Sequence, residues 1–194
     1  MTKLSALCVF CGSRAGEDPA YAVQSEKLGQ MLGEHDVTLV YGGGGIGLMA
    51  SVANAAIQAG GNVIGIIPQF LRVLEVGGVD GAKEIVVDGM HERKAKMFEL
   101  SDAFVVMPGG IGTLDESIEI ITWKQLQQHN KPIVFVNING YWDPFLALIA
   151  QVINTGFGHD KIKGLYQVVD SVDQVFDAIN NAPDVDAVVL HSHL

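Results

Sequence analysis

The chain has 194 residues, 48% of them apolar and only 18% charged, which suits one well-buried core, leaves little room for two domains and excludes a disordered chain. A net charge of −10 excludes a sequence-independent grip on nucleic acid, which needs a basic surface. It leaves room for a small anionic ligand, because a helix N-terminus and one or two arginines can hold a phosphate inside an acidic protein.

The elements read as alternating strands and helices. Residues 4–10 form a buried strand, 19–35 a helix, 37–41 a second strand, and 46–59 a helix after a run of glycines. Residues 62–67 form a third strand stopped by Pro68, and the Gly-rich stretch 70–82 has no periodicity and reads as a loop or lid. Strands at 84–87 and 103–107 flank a helix at 90–100. A helix at 113–129, a strand at 132–137, a helix at 142–154, a strand at 166–169 and a helix at 172–180 complete the order. Short, uniformly apolar strands between amphipathic helices predict an α/β fold, a doubly wound, Rossmann-like parallel sheet covered on both faces. Any ligand then belongs beyond the carboxyl ends of the strands. Residues 1–182 are expected to form one domain and 183–194 a frayed tail. No apolar run approaches the roughly 20 residues that cross a bilayer. The first residues lead into a strand and not a secretory signal, so a cytoplasmic location without membrane partners is expected.

Cys8 and Cys11 form a lone C-x-x-C. Residues three apart on a strand point to opposite faces, so the sulfurs diverge and neither a redox pair nor a zinc site is expected.

Three strand-to-helix junctions carry glycine. The first, Cys11-Gly12-Ser13, pairs a tight turn with a hydroxyl. The second satisfies G-x-G-x-x-G at Gly42, Gly44 and Gly47, the spacing of a dinucleotide site. It lies at the second strand and not the first, and the next strand ends in Ile66-Ile67-Pro68 without the acid that would hold ribose hydroxyls, which argues against that use. No glycine precedes a Gly-Lys-Ser/Thr, so a P-loop is excluded.

The third junction, Pro108-Gly109-Gly110-Ile111-Gly112-Thr113, lets successive backbone N–H groups converge on an anion at a helix entrance. The spacing leaves two readings open: a phosphate cradle, or a glycine turn with Thr113 as helix cap and Glu116 completing a capping box. Upstream, Met90, Arg93, Lys94 and Met97 share one helix face, either a cationic site beside apolar contacts or a solvated basic patch over core methionines. His91-Glu92 lacks the following histidine of a zinc signature.

Together these segments resemble the Lonely Guy family, cytokinin-activating phosphoribohydrolases long mislabelled as lysine decarboxylases. The resemblance runs from Val9-Phe10-Cys11-Gly12-Ser13, through Tyr41-Gly42-Gly43-Gly44, Met90-His91-x-Arg93-Lys94 and the P-G-G-x-G-T-x-x-E pattern ending at Glu116, to Thr122-Trp123, His129-x-Lys131-Pro132 and Gly140-Tyr141-Trp142. It implies a homodimer with sites near the interface, no metal and no cofactor. It also implies Arg93 and Glu116 as catalytic residues. As substrate contacts it implies Ser13, Glu75, Met90, Lys94, Gly109, Gly110, Ile111, Gly112, Thr113, Asp115 and Thr122. The substrate class it implies is a nucleoside monophosphate: an N6-modified adenosine 5′-monophosphate, cut into free base and ribose 5-phosphate. Asp115 stands where the family often has glutamate, and the residues around Gly77-Gly78 depart from the family's lid. The rival readings are a general AMP nucleosidase and a non-catalytic nucleotide or cofactor carrier on the same fold.

Overall fold

The computed structural model describes residues 4–74 and 78–183. Among these residues seven strands, β1 (Ala6–Phe10), β2 (Thr38–Tyr41), β3 (Val63–Pro68), β4 (Lys83–Val87), β5 (Ala103–Val106), β6 (Ile133–Val136) and β7 (Gln167–Val169), form one parallel sheet in the order β4-β3-β2-β1-β5-β6-β7. The chain winds outward from β1 to β4 and returns to pair β5 with the other edge of β1, in the register Leu7 to Ala103 through Phe10 to Val106. This reversal is the topological switch point, where a crevice opens beyond the carboxyl ends of the strands.

Helices cover both faces, so the central strands bury both sets of side chains and carry no polar alternation. On one face α1 (Pro19–Glu34), α2 (Gly47–Gln58) and α7 (Val175–Asn180) pack on Leu7, Val9, Leu39, Tyr41 and Val105. On the other, α4 (Met90–Glu99), α5 (Ile111–Gln125) and α6 (Asp143–Asn154) pack on Cys8, Phe10, Phe104, Val106 and Phe135. Cys8 and Cys11 lie in opposite layers, both as free thiols, as the strand period requires. Burial raises the pKa of each.

Four element readings need correction. The stretch taken as a loop or lid starts with a short helix, α3 (Gln69–Leu74), whose six residues are too few to show a hydrophobic period. The helix expected from residue 113 begins two residues earlier, because the glycine turn itself enters helical geometry. It also ends near Gln125, where Gln127 adopts a positive φ of 57° and turns the chain. The last helix is split: Val172–Gln174 is a 3-10 turn with a capping box between Ser171 and Gln174, followed by α7. Most of the predicted tail, residues 184–194, lies outside the described residues. Among those described, no helix is long and apolar enough to cross a membrane.

Candidate active site

Three glycine turns interlock at the switch point. The Gly12 N–H donates to the Pro108 carbonyl at 3.0 Å and the Met107 N–H to the Phe10 carbonyl at 2.9 Å, fastening the turn after β1 to the turn after β5. A Cβ on Gly109 would stand 2.9 Å from the Gly12 nitrogen, and one on Gly47 would stand 2.5 Å from the Arg14 nitrogen. Gly47 also has a φ of +61°. Side chains are excluded from these turns because backbone passes against backbone.

The turn after β5 ends at Gly110, the N-cap of α5, and no side chain caps that helix. Thr113 sits two residues into the helix and is buried, so the cap-and-capping-box reading fails: a cap must precede the first helical residue. The α5 entrance is the positive end of a fifteen-residue helix, and its first residues line a recess. That recess has a volume of about 250 Å³. Gly110, Ile111, Gly112, Thr113 and Glu116 line it from α5; Gly12 and Ser13 from the β1 turn; Gly42 and Met49 from β2 and α2; Arg93 and Met97 from α4.

Arg93 is not part of a solvated patch. It is 7% exposed; its Nε donates to the Ile66 carbonyl at 3.1 Å and its Nη2 to the Gly42 carbonyl at 2.6 Å. A Cβ on Gly42 would fall onto Nη2. The first glycine of the G-x-G-x-x-G pattern therefore admits a guanidinium, and its third, Gly47, admits the β1 turn. These contacts give a steric reason for both glycines that involves no dinucleotide.

Glu116 lies one helical turn beyond Thr113 on the same face, 9% exposed, with its carboxyl at the recess. Among the described residues no hydrogen bond or ion pair holds that carboxyl. Burial raises its pKa from 4.5 to about 7; nearby Arg93 and Lys94 oppose the rise, and Asp115 and Glu119 add to it. A carboxyl poised near neutrality beside a fixed cation can exchange a proton at working pH.

The other expected contacts are placed unequally. Ser13 lines the recess and is exposed. Lys94 does not reach into it: its Nζ is 3.1 Å from Asp115 Oδ2 and 3.1 Å from Glu119 Oε1, tying α4 to α5. Burial alone would lower the Lys94 pKa, but these partners win and raise it. Asp115 is accordingly a partner of Lys94 on the outer side of α5. Met90 stands beside Arg93, its sulfur 3.9 Å from Nη1, and does not line the recess. Thr122 is not brought to it either; three turns along α5 and exposed, it donates its hydroxyl to the Ile118 carbonyl at 2.7 Å. Helical periodicity put it on the face that turns away. Glu75 lies outside the described residues.

Sequence reading did not single out Gly42 as an acceptor for Arg93, nor Met49 and Phe10 as walls of the recess. Gly42 carried a signal, its place in a glycine fingerprint, which pointed to the wrong ligand. Phe10 and Met49 fall in segments that carry the family resemblance, but an apolar residue at a strand end or helix start looks like core, and nothing in the pattern marked either as a wall.

Fold and recess define a Rossmann-like α/β protein with its candidate site at the switch point. The molybdenum cofactor binding protein of Rippkaea orientalis shares this fold at a TM-score of 0.70 and 20% identity, over 93% of this chain and 98% of that one. The molybdenum cofactor carrier protein of Chlamydomonas reinhardtii does so at 0.68 and 20%, with the same coverage. A family model described as "possible lysine decarboxylase" matches residues 49–179. Cytokinin riboside 5′-monophosphate phosphoribohydrolase LOG of Oryza sativa subsp. japonica is 46% identical over 151 residues, 78% of this chain. LOG1 of Arabidopsis thaliana is 43% identical over 156 residues, 80% of this chain and 73% of that protein. A probable phosphoribohydrolase of rice, LOG4, is 39% identical over 176 residues, 91% of this chain and 76% of that protein. The chain belongs to this family, the Lonely Guy proteins. It spans 62% of the length of the first of these rice relatives and 61% of another.

Proposed function

We propose that the protein hydrolyses the N-glycosidic bond of N6-modified adenosine 5′-monophosphates to free base and ribose 5-phosphate. The observation that carries the reading is Glu116: a buried carboxyl held near pH 7, one turn inside an uncapped helix entrance. The relatives named for this activity, 39–46% identical, agree with it.

In this mechanism the amides of Gly110, Ile111 and Gly112 hold the 5′-phosphate at the positive end of α5. The ribose lies in the recess with its anomeric carbon towards Glu116. As the C1′–N bond breaks, its electron pair leaves with the base and positive charge grows on the sugar, as in glycoside hydrolysis. The ionised Glu116 stabilises that charge and takes a proton from the attacking water. The water oxygen bonds to C1′ and the proton ends on the departing base. Arg93 cannot serve as a base, because its guanidinium stays protonated. It stands beside Glu116 as a fixed charge that limits the rise of the carboxyl pKa.

The older reading of the family, a possible lysine decarboxylase, implies a different chemistry, for which the lining is unsuited. Among the described residues no lysine lines the recess, so none of them offers it an amine to carry a pyridoxal-type cofactor. Lys94, Lys124 and Lys131 are engaged with Asp115 and Glu119, the Lys131 carbonyl and the Phe98 carbonyl respectively.

The same reading includes a homodimer in the cytoplasm. Ile118 and Leu126, 48% and 51% exposed, share the outer face of α5 with Thr122, and covering that face with a second copy would give Thr122 a place near a site.

The test is chromatographic detection of free base from isopentenyl-AMP and AMP in parallel. Release mainly from isopentenyl-AMP is expected. Release mainly from AMP would make the protein a general nucleosidase, and tight binding without turnover would make it a carrier.

A further inference from the structure

We propose that Arg14 is a substrate-positioning residue, the cation that draws the 5′-phosphate onto the α5 entrance from a second recess on its far side. This rests on the nucleotide reading above and adds a residue to it.

The second recess has a volume of about 500 Å³ and shares Gly12, Ser13, Gly110 and Ile111 with the first. Those four residues form the sill between the two. The first recess, about 250 Å³, has room for a ribose but little beyond it, and the buried Glu116 lines it without being one of the four shared residues. A sugar bound there with C1′ at Glu116 places its 5′-phosphate at the sill, over the Gly110 and Ile111 amides. Whatever charge meets that phosphate from the other side belongs to the second recess.

Arg14 supplies it. It lines the second recess directly after Ser13, and among the described residues it forms no ion pair and no side-chain hydrogen bond. The other cations near the site are engaged: Arg93 with two carbonyls, Lys94 with two carboxylates. The backbone that bears Arg14 passes so close to Gly47 that a Cβ there would meet it, so the side chain starts from a tightly packed turn. The opposite wall is fixed as well. The Tyr141 hydroxyl donates to the Gly109 carbonyl, and Tyr141 packs edge-on against Tyr21 at 5.5 Å. Since a trans peptide points its C=O and N–H in opposite directions, anchoring the Gly109 carbonyl to Tyr141 turns the Gly110 N–H away from Tyr141. A guanidinium on a phosphate already held by amides forms charge-assisted hydrogen bonds, which add affinity without touching the bond that breaks.

The experiment compares wild type, Arg14→Ala and Arg14→Lys in steady-state hydrolysis of isopentenyl-AMP, and titrates each with ribose 5-phosphate and with ribose by calorimetry. Arg14 is exposed, so the variants should melt like wild type, which a thermal scan checks. The expected result is a KM roughly tenfold higher or more in Arg14→Ala with kcat near wild type, on the scale of a lost hydrogen bond to a charged group. Arg14→Lys should recover part of the loss. Ribose 5-phosphate affinity should fall in parallel, and ribose affinity should not move. A KM and a ribose 5-phosphate affinity within twofold of wild type in Arg14→Ala would overturn the proposal while hydrolysis stands. If wild type releases no base at all, the functional reading fails, and the ribose 5-phosphate titration still decides whether Arg14 holds phosphate.

Discussion

Arg93 reaches its place only because residue 42 has no side chain: its Nη2 donates to the Gly42 carbonyl at 2.6 Å, and a Cβ there would fall onto that same nitrogen. Gly42→Ala is therefore expected to displace the guanidinium and reproduce Arg93→Ala. Both should lose most turnover, with Gly42→Ala still folded. A Gly42→Ala variant with wild-type kcat would show that Arg93 need not occupy this position.

Glu116→Gln separates chemistry from stability. Turnover should fall by about a hundredfold or more, the usual scale for a proton-transferring group. Stability should move the other way. A folded carboxyl that titrates near 7, against 4.5 ordinarily, binds its proton more tightly in the native state than in the unfolded one. Its contribution is fully favourable below pH 4.5 and is lost as pH rises through about 7. Glu116→Gln should thus match wild type near pH 4 and exceed it by on the order of 2–3 kcal/mol at pH 8, measured by urea unfolding at both values. A variant less stable than wild type at pH 8 would mean that Glu116 is comfortably ionised in the fold.

If the ionised carboxylate is the working form, kcat/KM should rise with pH to a plateau with a midpoint near 7. Lys94 lowers the Glu116 pKa, and it neutralises Asp115 and Glu119, which raise it. Lys94→Gln should therefore move that midpoint to higher pH while the plateau rate stays close to wild type. A midpoint that stays put, with KM alone rising, would instead make Lys94 a direct substrate contact.

Gly47→Ala tests the interlocked turns. The substitution combines a left-handed φ of +61° with a Cβ 2.5 Å from the Arg14 nitrogen, so backbone must shift. A destabilisation of about 2–4 kcal/mol is expected, with a fall of several degrees in Tm. An unchanged Tm would show that the β1 turn yields freely.

How much of this was legible in the sequence differs from residue to residue. The doubly wound sheet was, because strands buried on both faces lose polar alternation and the intervening helices keep theirs. The opposed cysteines followed from strand period alone. Pairing Thr113 with Glu116 needed only the helical repeat. In contrast, α3 was missed, because six residues do not complete two turns, and Thr122 was carried to the site by resemblance although its helix face turns away from the recess of its own chain.

By itself the sequence determined the order of elements, both apolar faces of the sheet and the glycine turn that opens α5. These depend on periodicities and backbone preferences that act within a few residues. Tertiary structure alone decided that Arg93 is buried on Gly42, that Lys94 is taken by Asp115 and Glu119, and that Glu116 is dry enough to titrate near 7. Each of those outcomes depends on which charges and which voids meet across elements far apart in the chain, 21 residues for Lys94 and Asp115 and 51 for Arg93 and Gly42. Burial sets the cost of a charge, and no local pattern in the chain encodes burial at a site that forms only when strand order reverses.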